Sequence, residues 1–401
     1  MTRWLFFLLL PSFGLAAEIP LPEIAARVRA HHPMLKAARL AVEEARGRRS
    51  GSGRLANPTL ESSFQSESRV SPRTLLFGID QSFPLTKRLS LEKKLTAQLV
   101  AAAELEVRDV ERRLVAEARA CAVKILALEK QRALRQEQTD LARKLSAFAK
   151  SRAEKGELSP LDAAQAQVDA QRLLLESRRL ETDRITLLGE LKPLLGLAPD
   201  EACVIRGDLP VPEMPGLSPW QQRADYQMAR TQMEAARTEA ALAEAKRVQD
   251  ISAGLFGAQE AQDQTNGRRE HTGYLGLRTS IPLPLWNRNQ GEILEKNAAA
   301  ERRRFEAEAL GRQIASEADT ARREMRANAD LARETRDHLL PLVLEQTVNL
   351  ERAYEAGQAD LLTLLRARDQ RLQLESAALD AERDFHLARI RYEAATGASL
   401  P

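Results

Sequence analysis

Gly78-Ile79-Asp80-Gln81-Ser82-Phe83-Pro84-Leu85 returns later in the chain as Gly276-Leu277-Arg278-Thr279-Ser280-Ile281-Pro282-Leu283, displaced by 198 residues. Gly156 and Gly196 return as Gly357 and Gly397, both displaced by 201. A strand end and a pair of helix-bounding glycines keep nearly one spacing, so half of the fold is built twice. Each half reads as short helix, strand pair, very long helix, glycine turn and medium helix. The first repeat covers 18–196 and the second 219–401. They are joined by a Pro- and Gly-rich linker, 197–218, which forms an equatorial region.

The quoted stretch ends the second of two strands. Thr59 to Glu67 and Thr74 to Phe83 alternate in polarity, and Ser71-Pro72 marks the turn between them. Their counterparts are 250–258 and 272–281, with a polar loop from Gln259 to Glu270. Each segment is about the 9–11 residues that a tilted membrane strand needs. Pro84 closes the first pair and Pro282 and Pro284 follow the second, so strand gives way to helix there.

The helices follow from what is missing. From Leu85 to Lys155 there is neither Pro nor Gly, and the spacing predicts one helix over 88–155, about 100 Å long at ~1.5 Å per residue. Its stripe of Leu91, Leu95, Leu99, Ala102 and Leu105 must pack along other helices. Gly156 ends it, and Ser159-Pro160 opens a helix over 159–195. The second half repeats this with helices over 291–355 and 360–395, Pro341 re-spacing the first. Short helices over 21–49 and 220–247 precede the strand pairs, and His32-Pro33 interrupts the first. A short and a medium helix placed end to end match a long one. That predicts four parallel rods with four strands at one end.

Composition agrees. Aromatic residues are 4% of the chain and charged residues 29%, the profile of long packed helices. The net charge of +3 and the lack of a basic tract give nucleic acid no purchase. Arg3, the apolar run Trp4 to Leu10 and the small residues Gly14 to Ala17 read as a signal peptide over 1–17. Nothing after it approaches the ~18 apolar residues of a spanning helix, so a membrane crossing has to be a closed β-barrel. Four strands cannot close one. Three copies supply twelve, predicting a homotrimeric 12-stranded barrel continuous with an α-helical tunnel of twelve rods.

On these residues, and on Ser280-Ile281-Pro282-Leu283-Pro284-Leu285-Trp286-Asn287-Arg288-Asn289-Gln290-Gly291, the chain resembles the TolC-like outer membrane efflux proteins. The last stretch is most similar to the branch serving cobalt–zinc–cadmium and copper–silver export. The resemblance implies an outer membrane trimer with a periplasmic tunnel. Its tip meets a periplasmic adaptor (membrane fusion) protein and, through it, an inner-membrane pump of the resistance-nodulation-division type. The docking turns would be Gly156, Glu157, Leu158 and Ser159, and Gly357, Gln358, Ala359 and Asp360. Several relatives narrow the tip with acidic rings six and nine residues past the second turn glycine. Thr363 and Arg366 stand there in this chain, with Asp162 and Gln165 at the first repeat's positions. A closed state held by Asp162 or Asp369 pairing with Arg366 or Arg368 is the expectation.

No catalytic constellation or cofactor motif is present in the sequence. The histidines form no HExxH or Cys/His cluster, and adjacent His31 and His32 read as solvated surface. The methionines form no ladder, so no metal site is expected. Cys121 and Cys203 read as an apolar helix residue and a free linker thiol, with a disulfide as the alternative. The leading function is a passive exit duct for heavy-metal cations. A drug-efflux or type I protein-secretion duct of the same fold, and a soluble periplasmic coiled-coil adaptor, are the alternatives. An adaptor has no use for two membrane-length hairpins.

Overall fold

The computed structural model describes residues 17–66, 73–263 and 269–397. The expected signal peptide, up to residue 16, and the Ser71-Pro72 turn lie outside them. The fold is mostly helical with a small β part. The described residues form two compact units: one within 38–107 and 224–311, the other from 17–37, 108–223 and 312–397.

The first unit carries the sheet. Strands β2 (Thr59–Ser66) and β3 (Arg73–Phe83) form one hairpin, β5 (Ile251–Asp263) and β6 (Arg269–Ser280) the other. All neighbours are antiparallel in the order β2-β3-β5-β6, with β3 and β5 joining the two repeats from Arg73↔Ala261 to Phe83↔Ile251. The second hairpin is longer than its expected 250–258 and 272–281. The mostly polar stretch Gln259–Gln262 pairs with Glu270–Gly273 in the ladder, and backbone pairing is indifferent to the polarity that suggested a loop. The same unit holds most of α2 (Pro33–Gly51), the start of α3 (Arg88–Glu154), α5 (Ala224–Ala245) and the start of α6 (Gln290–Glu334). Arg88 at the head of α3 donates to Asp250 just before β5 (2.6 Å), tying one repeat's junction to the other's.

The second unit is a helical bundle. The expected 21–49 helix is a 3-10 turn (Leu21–Glu23), α1 (Ile24–His31) and then α2. His32 breaks it with extended backbone, since a residue before proline disfavours the helical region. His32 is buried rather than solvated, and its Nδ1 accepts the Met34 amide (3.1 Å). α3 continues here beside α4 (Pro160–Leu194), α7 (Leu340–Glu355) and α8 (Leu361–Thr396). Ala321, Met325 and Ala329 of α6, in steps of four, pack on Phe385, Ala388 and Tyr392 of α8, in steps of three and four. Ahead of Pro341 the chain makes a π-turn, Thr335–Leu339, which accommodates a proline that cannot donate to the preceding turn.

The linker is more ordered than its composition suggests. Cys203–Arg206 is a strand, β4, pairing in parallel with β1 (Ala17–Pro20). Beyond it the Pro210 carbonyl meets His386 Nε2 (2.9 Å) and the Gly216 carbonyl accepts from the Tyr392 hydroxyl (3.3 Å), fastening the linker to α8. Cys121 and Cys203 are both buried free thiols. Burial, helped by Glu190, pushes the Cys121 thiol up to about 11.

Candidate functional site

Both glycine turns are built alike. Gly156 and Gly357 take φ of +75° and +72°, the left-handed conformation that ends a helix. Around them the Glu157 amide donates to Arg152 O (2.9 Å) and the Gln358 amide to Ala353 O (2.8 Å), the six-to-one bond of a Schellman cap. Each turn then starts the next helix with a side-chain cap. Ser159 accepts from the Leu161 amide (3.2 Å) and Asp360 from the Thr363 amide (2.8 Å). The Thr363 hydroxyl and amide hold the Asp360 carboxyl below its usual range. Leu158, Tyr354 and Leu365 share one apolar cluster with Ala149 and Ala166, so the two turns sit side by side. Gly156, Glu157, Ser159, Gly357, Gln358 and Asp360 remain exposed, while Leu158 and Ala359 are half-buried.

Of the six aperture candidates, Gln165, Arg366, Arg368 and Asp369 line one cavity of about 380 Å³. Asp162 and Thr363 lie outside its lining, on the first turns of α4 and α8. Four carboxylates and four guanidinium groups line the cavity, so its charge is balanced. The expected pairing is not the one seen within the chain. Asp369 is held by Arg172 of α4 (2.6 Å) and Arg368 by Glu351 of α7 (2.8 Å). These carboxylate–arginine bonds join α4, α7 and α8 directly, leaving Arg366 and Asp162 with no ion pair among the described residues.

At the strand–helix junctions, half-buried Pro84 follows Phe83 directly, and half-buried Pro282 and Pro284 space a longer loop between β6 and α6. In that loop the polar residues shape backbone. Asn287 Oδ1 accepts the Asn289 amide (2.9 Å) and Gln290 Oε1 the Arg288 amide (3.1 Å). Asn289 takes φ of +62°, the sole positive φ at a non-glycine among the described residues. Its Nδ2 donates to Ala243 O at the end of α5 (2.9 Å) and to Glu292 (2.8 Å). Lys246 reinforces the clamp on Glu292 (3.0 Å). The Asn289 amide, then Lys246, holds the Glu292 carboxyl below its usual range.

The sheet has two chemically distinct faces. The register aligns Leu60, Ile79, Leu255 and Leu277 in one row across all four strands, and every one is exposed. Phe64, Leu75, Phe77 and Leu275 extend the same face, with Leu275 91% and Leu277 80% exposed. The opposite face carries Glu61, Asp80 and Arg278, linked as ion pairs from Arg278 to Glu61 and to Asp80 (3.7 Å). Arg278 also lies over the Phe256 ring (5.4 Å), which meets Tyr274 edge-on. Gly276 permits this, because a Cβ there would fall 2.5 Å from Phe256 Cζ. Sequence reading misses this cluster, since its members belong to both repeats and meet only once β3 pairs with β5. The alternation in polarity read along β3 foretells the two faces but not which residues meet on them.

No helix among the described residues is long and apolar enough to cross a membrane. No family model and no curated protein matches the chain. Solved structures do. The outer membrane protein VceC of Vibrio cholerae is similar with a TM-score of 0.76 at 17% identity, over 94% of this chain and 96% of that one. CusC, whose structures concern folding and transmembrane channel formation, is similar with a TM-score of 0.79 at 16% identity, over 96% and 93%. The CmeC outer membrane channel of Campylobacter jejuni gives 0.77 at 12% identity, over 94% and 85%. The chain has the fold of these outer membrane channel proteins.

Proposed function

We propose that this chain is one third of an outer membrane efflux duct. The observation that carries the reading is the sheet: one face apolar and open, the other polar, with the outer edges of β2 and β6 unpaired among the described residues. An exposed apolar face of this kind marks a membrane or partner surface. Lipid forbids open strand edges, so the four strands must continue into copies of themselves, and three copies make twelve. From Leu75 to Phe83 the apolar face of β3 runs nine residues, about 27 Å along the strand. A tilt of ~40° brings that to about 20 Å of height, near the ~25 Å apolar band of outer membrane barrels.

In this reading the apolar face meets lipid, the Glu61–Asp80–Arg278 cluster faces the lumen, and the junction prolines mark where barrel becomes tunnel. The turns at Gly156 and Gly357 dock a periplasmic adaptor, which connects the duct to a resistance-nodulation-division pump that supplies the energy. Asp162, Gln165, Thr363, Arg366, Arg368 and Asp369 form the aperture, with Arg172 and Glu351 as the partners that hold it. The cargo is heavy-metal cations, supported by the likeness of Ser280–Gly291 to metal-export ducts. Membrane fractionation and planar-bilayer recording test the duct: protein in the outer membrane with stepwise conductance is expected, and release with the soluble periplasm refutes it. Growth of a deletion strain on a panel of metals and drugs tests the cargo; sensitivity to drugs alone transfers the duct to drug efflux.

A further inference from the structure

The end of the sheet that adjoins the helices carries a repeated pairing that neither lumen nor tunnel explains. β2 and β5 begin at this end, and β3 and β6 finish there. Each of the four chain crossings places an exposed cation within two residues of an exposed large apolar side chain. Before β2 these are Arg54 and Leu55; after β3 they are Leu85 and Lys87. Before β5 they are Arg247 and Val248; after β6 they are Trp286 and Arg288. None of the four cations has an ion-pair partner among the described residues, although carboxylates such as Glu92 and Asp250 are close in sequence and pair with Arg88 instead.

The apolar stripe does not stop where the sheet stops. Leu275 and Leu277 on β6 are followed, at every second residue but Thr279, by Ile281, Leu283 and Leu285. All five are exposed. The stripe carries on through the loop, where the Leu285 amide donates to Leu283 O (2.9 Å) in a tight turn across Pro284 and the apolar side chains stay exposed. It ends on Trp286, 89% exposed, and the Asn287–Gln290 turn described above fixes that position. An indole is an amphipathic ring that favours the boundary between acyl chains and headgroups, and neighbouring Lys and Arg favour anionic phosphate.

We infer that these four crossings form a collar seated in the phospholipid headgroup boundary of the inner-facing leaflet. Trp286 and its apolar counterparts dip toward the acyl chains, and Arg54, Lys87, Arg247 and Arg288 engage lipid phosphates. The inference rests on the outer membrane reading above, and its test separates the two. The full chain carries three tryptophans, so Trp4→Phe with Trp220→Phe leaves Trp286 as the only indole. This variant is reconstituted into vesicles of phosphatidylethanolamine and phosphatidylglycerol bearing a nitroxide either at the headgroup or near the acyl terminus. A parallel chain with Trp286→Phe added and Leu277→Trp introduced reports the barrel face.

The expected result is a blue-shifted Trp286 emission that loses more intensity to the headgroup nitroxide, while the Leu277→Trp chain loses more to the acyl-terminal one. If the Leu277→Trp chain is quenched by lipid and Trp286 answers only to aqueous iodide, the collar is overturned and the barrel stands. Emission from Trp286 that is blue-shifted yet blind to both lipid and iodide means a protein surface covers it, which also overturns the collar. If neither position senses lipid, the membrane reading fails and the collar with it. Converting Arg54, Lys87, Arg247 and Arg288 together to Gln is expected to abolish the gain in refolding yield that phosphatidylglycerol gives the parent; an undiminished gain refutes the phosphate contacts.

Discussion

Leu277→Arg separates a lipid-facing sheet from a merely solvent-exposed one. Leu277 is 80% exposed in the single chain, so the substitution removes almost no protein contact. On a soluble protein an exposed residue of this kind changes stability by no more than about 0.5 kcal/mol. Leu277 belongs to the row Leu60–Ile79–Leu255–Leu277, and Ile79 is midway along the apolar face between Leu75 and Phe83. That is the depth at which arginine on a barrel's lipid face costs about 2–4 kcal/mol. Three copies place the penalty on the assembled duct at about 6–12 kcal/mol. Urea-dependent folding into phosphatidylcholine vesicles measures it directly, and the yield of protein in the outer membrane fraction gives the cellular counterpart. Ser63→Arg, on the polar face of β2, is the control and should insert normally. If the Leu277 variant folds and inserts like the parent, the apolar face does not meet lipid and the barrel argument collapses.

Other outcomes follow from the same geometry. No atom lies within 4 Å of a Cβ added at Gly357, so Gly357→Ala carries the cost of left-handed backbone alone, about 1–2 kcal/mol, read as a lowered melting temperature. Gly357→Asn, which tolerates that conformation, should lose less. His386 is buried against the linker, and burial, with Arg389 and Lys130 nearby, pushes its pKa down from 6.5 to about 4. Its neutral form is therefore the stable one: the contribution is complete above pH 6.5 and is lost as pH falls toward 4, about 3 kcal/mol in all. In His386→Gln the stability measured by denaturant titration should be flatter across that window. Asn289→Ala forfeits two side-chain hydrogen bonds and the residue type that tolerates its φ, and should cost about 1–3 kcal/mol. Faster trypsin cleavage after Arg288 would report the loosened loop.

Some of this architecture is readable from residues alone and some is not, for physical reasons. The uninterrupted α3 is legible because the 71 residues from Leu85 to Lys155, without Pro or Gly, leave the chain little alternative to helix. The π-turn is foreshadowed by Pro341, whose missing N–H demands re-spacing. The polar ends of β5 and β6 are illegible, because ladder hydrogen bonds join backbones whatever the side chains. β4 is hidden for a different reason: its four residues become a strand only against a partner nearly two hundred residues earlier. At the glycine turns the backbone is foretold by residue type, but the ion partners are not. Arg172 and Glu351 reach Asp369 and Arg368 from other helices, and no spacing rule connects them.

The parallel clasp between Ala17–Pro20 and Cys203–Arg206 also sets an order of events. Whatever the direction of assembly, this strand stays unmatched until residue 206 is available, through the making of two hairpin strands and four helices. Idle backbone of this sort invites strangers, and a strand of four residues is a poor template for them. Its brevity suits a segment that must wait so long for its mate.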